Sequence, residues 1–175
     1  MRFFILILLA MSVSQLIIFD FSENASLDNW RIVDDVVMGG RSDGKFALNE
    51  EGHAEFYGDV SLENNGGFSS VRYQTESINI DGYSHYKIRL KGDGKVYQFR
   101  CKSSQNQRHS YIYEFETTGD WQTVTIGFDT MEATFRGRRL NIPNFDGDGV
   151  SEIAFLIGNK KEQSFKLLID KIWVE

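Results

Sequence analysis

An antiparallel β-sandwich of jelly-roll type is the fold this sequence predicts, and three observations predict it. Apolar/polar alternation recurs in short runs, at roughly the 8–12-residue spacing of all-β domains. Glycine-centred turns separate many of the runs. No segment holds a helical apolar period over three turns. The composition agrees: 175 residues with 41% hydrophobic side chains, 14 Phe, 7 Tyr and 3 Trp can fill a core, and one Pro leaves strands uninterrupted.

The elements follow in order. Residues 16–21 (LIIFDF) form a short apolar strand. Residues 53–57, 84–91 (SHYKIRLK), 95–102 (KVYQFRCK), 111–116 (YIYEFE), 121–128 (WQTVTIGF) and 164–174 alternate with period two, the pattern of strands packed on one face. Residues 153–157 (IAFLI) are continuously apolar and read as a central strand covered on both faces. Turns are expected at Asp43-Gly44, Gly66-Gly67, Gly92-Asp93-Gly94, Thr118-Gly119-Asp120 and residues 146–149 (DGDG), and one helical turn at most at residues 129–133. No linker, low-complexity tract or internal repeat interrupts the chain, so residues 15–175 are expected to form a single domain.

The first 14 residues stand apart. Met1-Arg2 is a short basic start, residues 3–11 (FFILILLAM) are apolar, and Ser12-Val13-Ser14 supplies small residues at a signal-peptidase spacing. The expectation is a signal peptide of residues 1–14 and an exported, periplasmic or extracellular, chain. The alternative is a membrane anchor over residues 3–19, but Ser12, Ser14 and Gln15 interrupt the ~20-residue apolar run that spanning needs.

Charge and cysteine count exclude further classes. The formal charge is −6, without the basic concentration that a phosphate backbone requires, so no nucleic-acid partner is expected. The single cysteine, Cys101, cannot form an internal disulfide framework or a Cys-rich zinc site. Residues 39–45 (GGRSDGK) have the glycine and lysine spacing of a phosphate loop. Phe46 stands where the motif needs Ser or Thr, and no helix follows.

Candidate sites are few. Asn144, Asp146 and Asp148 repeat the first half of a calcium loop, but its twelfth position is Phe155 in place of Glu, leaving only a weak calcium candidate. His53, His85 and His109 lack metal-ligand spacing. No G-x-S-x-G elbow occurs, and adjacent acids such as Asp34-Asp35 point to opposite faces of a strand. The chain is therefore read as a non-enzyme without a cofactor, a hydrolase being the distant third reading.

Two segments, residues 30–42 and 58–72, join apolar anchors to paired glycines and a polar set. Asp35, Ser42, Ser61, Asn65 and Arg72 are expected either to brace one end of the sandwich as a hydrogen-bonded network or to form a ligand surface. Arg136, Arg138 and Arg139 are the one basic cluster. With Tyr97, Tyr111 and Tyr113 they are candidates to line a groove for a partner or sugar.

Five stretches carry a resemblance: VDDVVMGGRS (33–42), SLENNGGFSSVR (61–72), GDGKVYQFR (92–100), WQTVTIGF (121–128) and TFRGR (134–138). In this order they resemble the complex I intermediate-associated protein 30 family, over about residues 19–173. The resemblance implies a galactose-binding-like jelly roll, related in fold to carbohydrate-binding modules. It also implies a chaperone-like binder assisting assembly of NADH:ubiquinone oxidoreductase, and supplies no catalytic residues. The leader differs from an Arg/Ser-rich mitochondrial transit peptide, so the chain looks like a small exported bacterial member. The first functional expectation is a protein-binding module using Asp35, Met38, Asn65, Phe68, Arg72 and Arg136, gathered at one end, with respiratory-chain subunits as partners. The alternative is an exported carbohydrate-binding module that stacks sugar on Tyr97, Tyr111, Tyr113 and Trp121. Fractionation of expressing cells should recover the chain outside the cytoplasm with its N-terminus near Gln15; a cytosolic chain keeping Met1-Arg2 would overturn the leader.

Overall fold

The computed structural model describes residues 14–22 and 25–175, so the predicted leader lies outside the described residues except for Ser14. Two antiparallel sheets face each other. Their strands are β1 (Leu16–Asp20), β2 (Trp30–Ile32), β3 (Asp43–Leu48), β4 (Ala54–Val60), β5 (Ser69–Ile78), β6 (His85–Lys91), β7 (Val96–Lys102), β8 (Ser110–Glu116), β9 (Trp121–Gly127), β10 (Glu132–Phe135), β11 (Arg138–Arg139), β12 (Val150–Ile157) and β13 (Gln163–Val174). One sheet runs β3-β4-β13-β6-β9, with β1 also on β13; the other runs β11-β10-β8-β7-β12-β5-β2. This is the jelly-roll β-sandwich that the alternation predicts.

The strand β13 shows how sequence sets geometry. Phe165, Leu167 and Ile169 are buried in one phase, and Ile172 and Val174 in the other. The phase changes at a bulge, where pairing with β6 shifts register between Ile169 and Lys171. One strand thereby keeps its apolar side on the core along its whole length. β4 pairs along its first half and β1 along its second.

The core lies between the inward rows of both sheets. Tyr97, Phe99 and Cys101 of β7 and Ile153, Phe155 and Ile157 of β12 meet Phe56, Tyr86, Ile88, Leu167 and Ile169 of the opposite sheet. The Phe99 ring lies 4.9 Å from Tyr86 across the sandwich and 5.6 Å from Phe155 beside it. Every residue of β12 is buried, as the apolar run predicts. The Cys101 thiol is 1% exposed, and burial pushes its pKa well up, so it stays a neutral, apolar packing group.

Several local expectations are corrected. The Gly92–Gly94 segment joins β6 and β7, which lie in different sheets, so it crosses the sandwich and is no hairpin turn. Asp43-Gly44 opens β3. The helical turn is a 3₁₀ turn at Phe128–Thr130, and β10 begins at Glu132. In urea unfolding, Phe155→Ala should cost about 3–5 kcal/mol, while Thr125→Ala, on the exposed face of β9, should change stability by less than about 0.5 kcal/mol.

Candidate functional site

The paired glycines of the two motifs converge on one carboxylate, that of Asp35. A 3₁₀ turn over Asp35–Met38 carries Asp35 into the protein, where it is fully buried. Its Oδ1 accepts the Ser42 N–H at 3.0 Å. Its Oδ2 accepts the Ser42 hydroxyl at 2.5 Å, the Gly67 N–H at 2.6 Å and the Phe68 N–H at 3.2 Å. Ser42 Oγ in turn accepts the Ser61 N–H at 3.0 Å. Burial pushes the Asp35 carboxyl up, but the Ser42 hydroxyl and the Gly67, Ser42 and Phe68 N–H groups more than offset it, so its pKa lies below the usual value.

Each glycine pair has a division of labour around this group. Gly39 (φ 90°) and Gly67 (φ 135°) take backbone conformations that L residues avoid. Gly40 and Gly66 pack against the carboxylate so closely that a Cβ on either would collide with it. Asp34 points the other way, accepting from Ser69 Oγ at 2.6 Å and from Gly44 N–H at 2.8 Å. Ser69 begins β5 and Gly44 belongs to β3, so this second carboxylate fastens the two sheets together.

What the brace holds outward is apolar. Val36 is 59% exposed, Met38 64% and Leu62 41%. The first two ride on the 3₁₀ turn, and Leu62 lies in the loop that Asp35 and Ser42 pin; its Cδ2 lies 3.3 Å from where a Gly67 Cβ would be. Arg41 and Glu63 join the two loops at 3.2 Å on the surface. The result is a fixed apolar knob at one end of the sandwich.

The structure gathers only part of the predicted set. Asp35, Ser42 and Ser61 form the network, with Met38 and Phe68 beside it. Asn65 is exposed in a left-handed turn (φ 60°) and does not join. Arg72 lies out on the strand face of β5. Arg136 and Arg138 lie on the β10–β11 hairpin, at the opposite edge of the seven-stranded sheet from β5 and β2. There Arg136 packs over the Phe135 ring at 5.4 Å.

The expected groove is gathered only in part: Tyr113 and Arg139 line one surface cavity with Glu132 and Thr134, and Tyr97, Tyr111 and Trp121 do not share it. Tyr97 is fully buried, its hydroxyl donating to Asp93 at 3.0 Å. Tyr111 and Tyr113 share its inward phase and pack against the core. Trp121 belongs to the other sheet, against His53 at 4.6 Å and beneath Arg89 at 5.2 Å. At the calcium candidate, Asn144 turns its amide to the Asp129 carbonyl at 2.5 Å, and Asp146 accepts the Asp148 N–H at 3.4 Å. Among the described residues no three His, Cys, Asp or Glu side chains converge as metal ligands. One feature was missed: Arg100, on the outward phase of β7. Burial, with Arg72 nearby, lowers its pKa to about 10, so it remains cationic at neutral pH. The alternation that turns Tyr97 and Phe99 inward turns Arg100 outward, and that signal was available.

A family model described as complex I intermediate-associated protein 30 (CIA30) matches residues 19–169. The chain belongs to this family. The mouse mitochondrial complex I intermediate-associated protein 30 is 24% identical over 181 aligned positions, covering 90% of this chain and 55% of the relative. The chain thus spans about half of that relative's length. An uncharacterized protein of Schizosaccharomyces pombe is 23% identical, covering 90% of this chain and 82% of its own. Among solved structures, the family 11 carbohydrate-binding module of Clostridium thermocellum, in complex with a β-1,3-1,4-mixed-linked tetrasaccharide, superposes with a TM-score of 0.69. It is 18% identical, and the match covers 93% of this chain and 96% of the module. An agarase matches with a TM-score of 0.62 at 14% identity, over 92% of this chain and 24% of the enzyme. At these identities the likeness shows the fold alone, a β-sandwich that this CIA30 chain shares with carbohydrate-binding modules.

Asp35→Ala leaves three buried N–H groups and a hydroxyl without their acceptor and should cost at least about 3 kcal/mol, with Val36 and Met38 losing their fixed placement. The sign of the pH effect follows from the lowered pKa. The Asp35 contribution is complete above the ordinary carboxyl value of 3.8 and is lost as pH falls through the lower folded value. Urea titrations of wild type and Asp35→Asn should therefore converge below that range.

Proposed function

We propose that this chain is a non-catalytic, assembly-factor-like binding module that docks a protein partner on the Val36/Met38/Leu62 knob. The carrying observation is that a fully buried, fourfold hydrogen-bonded carboxylate holds large apolar side chains in solvent. Exposed apolar groups on a rigid support are the arrangement of a binding hot spot, because little ordering entropy opposes docking. Family membership supports the reading, and the name of the mouse relative directs attention to intermediates of complex I. The fold is equally consistent with a glycan-binding module, and the likeness to a carbohydrate-binding module supports that second reading. The burial of Tyr97 and the inward phase of half-buried Tyr111 and Tyr113 speak against the stacking surface first expected for it.

Among the described residues no arrangement favours the hydrolase reading. His53 Nδ1 lies 3.1 Å from Asp170 Oδ1, and that carboxylate also holds Arg89 at 3.2 Å. Among the described residues no Ser or Cys side chain is hydrogen-bonded to this pair. We infer export from the leader, so the partner would be met outside the cytoplasm.

Tagged wild-type protein should retain a defined partner, identified by mass spectrometry. Met38→Asp with Leu62→Asp should reduce its recovery at least about tenfold while the melting temperature stays within about 3 °C. Unchanged recovery overturns the knob. Recovery of envelope proteins without respiratory-chain subunits overturns the complex I version, and a glycan-array signal from the intact double variant would favour the sugar reading.

A further inference from the structure

The outward face of the seven-stranded sheet carries a row of cations that register brings into line. Arg31 of β2 pairs with Arg72 of β5, Arg72 with Ala154 of β12, and Ala154 with Arg100 of β7. With strands about 4.8 Å apart, Arg31 and Arg72 are immediate neighbours, and Arg100 stands about 10 Å from Arg72 across the small Ala154. Ala154 is 3% exposed. Its methyl cannot cover itself, so its long neighbours must arch over it.

The arrangement is costly by itself. Like charges directly opposite one another on adjacent strands repel, and the two acids nearest the row, Glu152 and Glu114, have other hydrogen-bond partners. Glu152 accepts Gln74 Nε2 at 3.1 Å and holds Lys102 at 3.1 Å. Glu114 Oε1 accepts Gln98 Nε2 at 2.8 Å. Arg100 spends Nε and Nη2 on the neutral Gln98 Oε1, at 3.0 and 2.7 Å. Among the described residues, no carboxylate lies within ion-pairing distance of Arg31, Arg72 or Arg100. An acidic chain, −6 overall, thus keeps three guanidinium groups in one line without a direct ion pair, Glu114 and Glu152 reaching Arg100 only through space.

We propose that this row seats the carboxylates of an acidic segment of the protein partner. The inference rests on the protein-binding reading and names the partner's charge. Guanidinium forks match carboxylates, bidentately where geometry allows. In an extended segment, alternate side chains are about 6.8 Å apart, within the spread of the row. Two observations favour a peptide over an acidic polysaccharide. The outward positions of β2, β5, β12 and β7 carry no aromatic ring on which a sugar would stack. Arg72 also stands only four residues along β5 from Phe68, whose N–H is held by Asp35 beneath the apolar knob, which brings row and knob within reach of one peptide segment with acidic and apolar side chains.

The test uses poly-L-glutamate as probe, with polygalacturonate beside it. Wild type should bind polyglutamate against its own net charge and release it as salt rises. Arg72→Gln with Arg100→Gln should weaken binding at least about tenfold, and so should Arg31→Gln with Arg72→Gln, which spares the packed Arg100. Arg138→Gln with Arg139→Gln, the same charge change at the far edge, should retain wild-type affinity. Loss of binding by wild type, equal loss in the far-edge control, or retention of polygalacturonate alone would overturn the proposal. Failure here beside an intact effect of Met38→Asp on the partner would remove the arginine row and leave the knob.

Discussion

One carboxylate organises the end of this molecule. Asp35 is surrounded by four donors that otherwise would have to face water, and it replaces water for all of them. Because the donors come from two loops, satisfying them fixes the loops relative to each other. The demand spreads through the sequence: neither Gly40 nor Gly66 has room for a side chain, and Gly39 and Gly67 supply the backbone angles that bring them there. Asp34 extends the same logic to the two sheets. The polar network and the apolar surface are therefore one device, since buried hydrogen bonds supply the rigidity and exposed side chains the contact.

The sandwich behind it is built to carry asymmetric faces. Inward rows of aromatic and branched side chains fill the space between the sheets, and a bulge in β13 corrects its phase so that Ile172 and Val174 stay on the core side. On β7 the same alternation that buries Tyr97, Phe99 and Cys101 must put Gln98, Arg100 and Lys102 on the other side. A densely packed core and a densely charged outer face thus arise from a single period-two sequence. The cost of aligned arginines is borne by the many contacts beneath them.

Much of this was legible beforehand. The long alternating strands, the buried central strand and the role of the paired glycines follow from side-chain period and sterics. β2 has three residues and β3 has no fully buried side chain, so neither offers enough pattern to be recognised. β5 alternates through Val71, Arg72, Tyr73 and Gln74, but its polar residues resemble a loop motif until its partners are known. The tyrosines illustrate a different failure. Counting them as exposed aromatics ignored that Tyr97 shares its phase with Phe99, and Tyr111 and Tyr113 theirs with Phe115. Arg136 was grouped with Asp35 by motif membership, and only the order of strands in the sheet could separate them.

The solitary thiol has a practical meaning. Cys101 lies on the inner face of β7, a central strand of its sheet, neutral and almost without exposed area. A maleimide or disulfide reagent can reach it only after the two sheets part, so its labelling rate counts openings of the whole sandwich. Fraying at the edges passes unrecorded. The chain thus carries its own single-site clock for global unfolding, running without any added probe.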